Sequence, residues 1–155
     1  MYETLLREAT HLGIDTYEKQ MPYRLKGLYS NNIIWINNKM ETSYEKACIL
    51  AEELGHYHTS SGDIVDQDTI AKRRQEKIAR TWAYERLVPL SKIVQAHKEA
   101  IRNRYELAQY LEITEEFLDN AIKRYKEKYG ATVNYGEYSI CFEPLGVIEW
   151  FDNSF

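Results

Sequence analysis

The chain has 155 residues, of which 44% are hydrophobic and 28% charged, with a formal net charge of −4. That length suits one domain, residues 1–155, with a real core, and the balance excludes a disordered chain. No apolar run approaches the roughly 20 residues that span a bilayer. The start, Met1-Tyr2-Glu3-Thr4-Leu5-Leu6-Arg7-Glu8, carries acids and lacks a signal-peptide core. Cys48 and Cys141 sit among apolar neighbours and form no CxxC pair. They read as reduced, buried thiols and exclude a disulfide scaffold. The expectation is a cytoplasmic protein with no membrane partner.

In chain order, Leu5, Leu6, Ala9 and Leu12 recur at helical spacing and predict a short helix over 2–12. Pro22 and Gly27 punctuate a loop. The run Ile33-Ile34-Trp35-Ile36, flanked by Asn31-Asn32 and Asn37-Asn38, reads as a strand. Thr42-Ser43-Tyr44-Glu45 fits a capping box and starts a largely buried helix, with Ala47, Ile49, Leu50 and Leu54, that runs to about His56–His58. Thr59-Ser60-Ser61-Gly62-Asp63 is a loop, and a second long helix covers about 68–87, ended by Pro89. Further helices fit 90–100, 103–111 and 114–129, the last with Gly130 as its C-cap. The period then changes. Thr132–Tyr135, Tyr138–Phe142 and Val147–Phe151 read as strands, with a turn at Pro144-Leu145-Gly146. The fold class is α+β and mainly helical, with a short N-terminal sheet and a C-terminal β-hairpin.

Charge is unevenly spread. Residues 130–155 hold Glu137, Glu143, Glu149 and Asp152 and no Lys or Arg, whereas residues 72–104 hold ten Lys/Arg against three Asp/Glu. Such a basic stretch is either a solvated helix face or a surface for an acidic partner or nucleic acid.

The chemistry-bearing stretch is Ala51-Glu52-Glu53-Leu54-Gly55-His56. Glu52 and His56 are four apart, so on a helix they share one face and can reach one ion. Glu53 stands about 100° round the helix from Glu52, where a carboxylate can reach a water beside that ion. This is the logic of H-E-x-x-H peptidases, written here as E-E-x-x-H.

The segment Ile49-Leu50-Ala51-Glu52-Glu53-Leu54-Gly55-His56-Tyr57-His58-Thr59-Ser60-Ser61-Gly62-Asp63-Ile64 resembles the metal helix and following loop of the ImmA/IrrE family of phage and mobile-element metallopeptidases. The resemblance continues in Lys26-Gly27-Leu28-Tyr29, in Ile33-Ile34-Trp35-Ile36-Asn37, and in Glu76-Lys77-Ile78-Ala79-Arg80-Thr81-Trp82-Ala83, over most of residues 22–90. It implies a zincin-like domain with a metallopeptidase-like core at 1–90, a helical extension at 91–130 and C-terminal strands at 131–155. It implies the metal ligands Glu52, His56 and Glu76, with Glu53 as the general base. The family's usual first ligand is histidine, and Glu52 stands in its place. Two carboxylates and one imidazole form a harder set, which weakens Zn²⁺ and relatively favours Mn²⁺. Intrinsic affinity for Zn²⁺ still normally exceeds that for Mn²⁺, so the cofactor expected is Zn, with Mn as the alternative.

His58 is a substitute ligand only if the helix ends near Gly55–His56; otherwise it polarises substrate or is an exposed helix-end histidine. Asp63 either orients His56 or caps the next element. The strand at 33–36 is either core alone or also the sheet edge along which such peptidases align substrate.

Tyr105–Leu118 has the rhythm of a helix-turn-helix. Its second helix begins with Glu115, Glu116 and Asp119, which suit the helix dipole and repel phosphate. No direct nucleic-acid binding is expected. The resemblance implies an intracellular endopeptidase whose partner and substrate is a helix-turn-helix repressor. The alternative is a metal-poor pseudo-peptidase that grips the repressor without cutting it.

Overall fold

The computed structural model describes residues 1–60 and 69–150. Ser61, Gly62 and Asp63 of the expected loop, the first residue of the helix expected from 68, and Phe151 of the last expected strand lie outside the described residues. The protein is mainly helical α+β, with six helices and two three-stranded sheets among the described residues. It divides into two compact units, Met1–Leu87 and Val88–Phe155.

In the first unit, α1 (Tyr2–His11) buries Leu5 and Ala9. Strands β1 (Asp15–Lys19), β2 (Gly27–Ser30) and β3 (Ile33–Asn37) form a sheet in the order β1-β3-β2. β2 and β3 are a hairpin closed by Asn31 and Asn32, with φ of 49° and 61°. Such two-residue turns need positive φ at both positions, and Asn tolerates it. β1 pairs parallel to β3. β3 is thus central and paired on both sides, with Ile34 and Ile36 fully buried. The expectation of a substrate edge along 33–36 therefore needs correcting: the edge of this sheet that packs on the helix Ser43–Thr59 is β2.

The register shows what that edge offers. The Asn37 N–H donates to the Lys26 carbonyl at 2.8 Å. In an antiparallel ladder bonded and non-bonded pairs alternate, so Gly27 and Tyr29 turn their main-chain groups away from β3. Asn37 also fixes the approach to β2. Fully buried, its amide donates to the carbonyls of Leu25 (2.7 Å), Met21 (3.3 Å) and Pro22 (3.4 Å). Its Oδ1 accepts from the Lys39 N–H at 3.1 Å.

Helix α2 (Ser43–Thr59) starts at Thr42, whose Oγ1 accepts from the Glu45 N–H at 3.1 Å, while Glu45 Oε2 accepts from the Glu41 N–H at 3.1 Å. It packs on β2, β3 and α1. Helix α3 (Thr69–Leu87) lies against it, burying Ala79, Ala83, Tyr84 and Leu87. The helices approach closely at Gly55, where a Cβ would stand 2.3 Å from the Ala79 carbonyl oxygen. No side chain larger than hydrogen fits there without moving backbone.

The second unit contains α4 (Leu90–Lys98), α5 (Arg104–Leu111) and α6 (Glu115–Tyr129), then β4 (Thr132–Tyr135), β5 (Tyr138–Phe142) and β6 (Leu145–Glu149). Pro89 is the N-cap of α4, where its missing N–H is harmless. Asn103 and Thr114 cap α5 and α6 through their side chains. The strands form an antiparallel meander, β4-β5-β6, one strand beyond a simple hairpin. Tyr125, Leu118, Ile140 and Phe142 are buried, and the Tyr125 hydroxyl donates to the Val88 carbonyl at 2.7 Å.

Candidate active site

Helix α2 supplies Glu52, Glu53 and His56, and α3 supplies Glu76. His56 Nε2 stands 3.3 Å from Glu76 Oε1. The glycine contact at Gly55 and Ala79 brings the two helices close enough for this pair to meet. Two ligands of a tetrahedral zinc with bonds of about 2.1 Å lie about 3.4 Å apart, so the pair's spacing suits two positions of such an ion. Glu52 lies one turn before His56 on α2. Among the described residues, no group of three or more His, Cys, Asp or Glu side chains is gathered to hold a metal ion. The donor chemistry fits a divalent cation, with two donors adjacent and Glu52 not closed upon them.

Glu53 is seated against β2. A Cβ at Gly27 would lie 3.1 Å from Glu53 Oε1 and 2.6 Å from Ile49 Cγ2, so the edge strand approaches α2 closely because residue 27 has no side chain. Burial first, then the charges of Glu52 and Glu76, push the Glu53 carboxyl up to about 8, against a backbone hydrogen bond at Tyr29 that works the other way. Tyr84, buried on α3, is held above the usual phenol range by burial first and by the charge of Glu52 second, with Arg80 opposing. Glu52 thus acts electrostatically on both Glu53 and Tyr84.

The helix is continuous through Thr59, which places His58 about 200° round from His56. His58 is therefore no substitute ligand. Its ring stacks on Trp82 of α3, with centroids 4.5 Å apart, and meets Tyr57 edge-on at 5.0 Å. Tyr57 in turn meets Tyr29 of β2 edge-on at 6.0 Å. This aromatic row ties α2 to both β2 and α3. Asp63 lies outside the described residues. Sequence reasoning missed Tyr84 and the loop-holding role of Asn37; the only signal for either was its place in or beside a stretch resembling the family.

The family model described as the IrrE N-terminal-like domain, a peptidase family, matches residues 9–123. No curated protein and no solved structure matches the chain significantly. The matched stretch contains α2, α3 and all four site residues, and the chain belongs to the ImmA/IrrE family of metallopeptidase-type proteins.

Proposed function

We propose that this protein is an intracellular, cytoplasmic metal-dependent endopeptidase that cuts a helix-turn-helix repressor of a phage or mobile element. The observation that carries the reading is Glu53 held by β2 beside the 3.3 Å His56–Glu76 pair. His56 and Glu76 would hold the ion, with Glu52 as third donor. A divalent cation bound there, Zn²⁺ or Mn²⁺, supplies positive charge that acidifies water and polarises a carbonyl.

The chain's own residues supply the rest. Glu53 takes the proton of the attacking water at its carboxylate and returns it to the leaving amine. The free edge at Gly27 lies next to this carboxylate, so a substrate strand laid along it has its scissile carbonyl near Glu53.

A second reading has its own support. Glu52 replaces histidine, and no three-ligand group is assembled among the described residues. A pseudo-peptidase that grips the repressor uses the same surface without cutting. Co-expression with the neighbouring repressor separates the two. A shortened repressor on a gel with the wild type, and an intact repressor with Glu53→Gln, supports the peptidase. Intact repressor in a stable complex with the wild type leaves the binding module.

A further inference from the structure

We propose that the exposed basic arc on α3 beside Glu76 binds acidic residues of the substrate, within about four positions of the scissile bond. This rests on the peptidase reading of the site and names a class of substrate for it.

Lys72, Arg73, Arg74, Lys77 and Arg80 are all exposed. Counting about 100° per residue, Arg80, Arg73, Lys77 and Arg74 follow one another round the helix from Glu76, and Lys72 flanks it on the other side. Arg80 Nη2 stands 4.0 Å from Glu76 Oε2. The cations therefore border the face on which Glu76 meets His56. Ile70 lies on the same arc and is 68% exposed, giving an apolar foothold among the charges.

Helix stability does not account for this distribution. A helix dipole favours acids in the first turn and cations in the last. The first turn of α3 has no acid, and its last-turn cation, Arg86, pairs with Glu8. By contrast α6 follows the rule, with Glu115 and Glu116 in its first turn and Lys126 and Lys128 in its last. Among the described residues of the first turn of α3 no acid stands against Lys72, Arg73 and Arg74, and all three are exposed to a ligand. Nucleic acid suits the arc less well, because Glu52 and Glu76 beside it repel the dense run of phosphates on a duplex more than the few carboxylates of a peptide. A peptide with a few carboxylates spaced along it suits it well. From Arg73 to Arg80 the helix rises about 10.5 Å, the length of about three extended residues.

The test uses fluorescein-labelled dodecapeptides, identical except that two positions on each side of the centre are all Glu, all Gln or all Lys. Binding is read by anisotropy on the full-length Glu53→Gln protein, so that turnover does not intervene. The Glu peptide is expected to bind about tenfold tighter than the Gln peptide at low salt, the Lys peptide weakest. The preference shrinks toward unity at about 1 M salt, where screening is nearly complete. Lys72→Glu/Arg73→Glu/Arg74→Glu is expected to remove it, at about two- to fivefold per charge. The Gln triple variant should give an intermediate value, with an unchanged helical circular-dichroism spectrum showing that both fold. Equal binding of the three peptides, a preference that survives the charge reversal, or tighter binding of duplex DNA than of the Glu peptide would overturn the proposal. Because binding is read without cutting, a preference without any cleavage by the wild type indicts the peptidase reading and leaves the acidic-peptide site standing.

Discussion

Gly55 on α2 lies against Ala79 on α3 so closely that a methyl group would stand 2.3 Å from the Ala79 carbonyl oxygen. One residue on, His56 meets Glu76. The small residue and the His56–Glu76 pair are therefore one device: the helices touch where side chains are absent, and the pair bridges them next door.

Gly55→Ala should separate them. The neighbouring backbone must give way, and overpacking of this kind destabilises by about 1–3 kcal/mol. Thermal unfolding should show the loss, and zinc titration should show weaker binding in the variant. Unchanged zinc affinity in a destabilised variant would mean that the pair does not depend on helix contact.

Metal choice should follow residue 52. Glu52→His replaces one of three neighbouring carboxylates by an imidazole, which suits Zn²⁺ better and removes a repelling charge. Zn²⁺ affinity is expected to rise by about tenfold, or about 1.4 kcal/mol, in calorimetric titration against the wild type. Equal or weaker affinity would remove Glu52 from the ligand set.

Glu53 gives the metal-free protein a pH dependence of known sign. Its carboxyl titrates near 8 in the fold against an ordinary value of 4.5, so between these values the folded state binds more protons than the unfolded one. Stability contributed by the protonated group is present below the ordinary value and is lost as pH rises toward 8, by on the order of 3 kcal/mol. Urea unfolding of the metal-free wild type from pH 5 to pH 8 should show this decline, and Glu53→Gln should flatten it. A wild-type curve as flat as the variant's would contradict the seating of Glu53 against β2.

The α5–α6 pair should not read DNA. At the start of α6, Glu115, Glu116 and Asp119 are exposed, and Arg104 is drawn to Asp119 at 2.5 Å. Gel-shift with duplexes from the repressor locus should give no sequence-specific complex at physiological salt. A nanomolar specific complex, as true repressors form, would contradict this.

Much of this was legible in the residues. The capping box at Thr42 and Glu45 sets the start of α2, and Gly130 ends α6, because caps are local chemistry. β1 and β2 were not legible. Four of the five β1 residues are exposed, and β2 is four residues long and begins with glycine, so neither carries the apolar alternation that marks a strand. They exist because the Asn31-Asn32 turn and β3 give them a partner. At the site, the i, i+4 spacing of Glu52 and His56 was readable, whereas Glu76 came from the family resemblance. The seat of Glu53 under Gly27 joins residues 26 positions apart through packing, which no local pattern encodes.

The central claim is tested most directly by incubating the purified, zinc-loaded protein with the purified neighbouring repressor and weighing the products by mass spectrometry. The account expects two fragments whose masses sum to the intact repressor plus one water. The rate should fall by about 10²–10⁴-fold in Glu53→Gln and vanish with a chelator. An intact repressor, or cutting by Glu53→Gln at the wild-type rate, would contradict it.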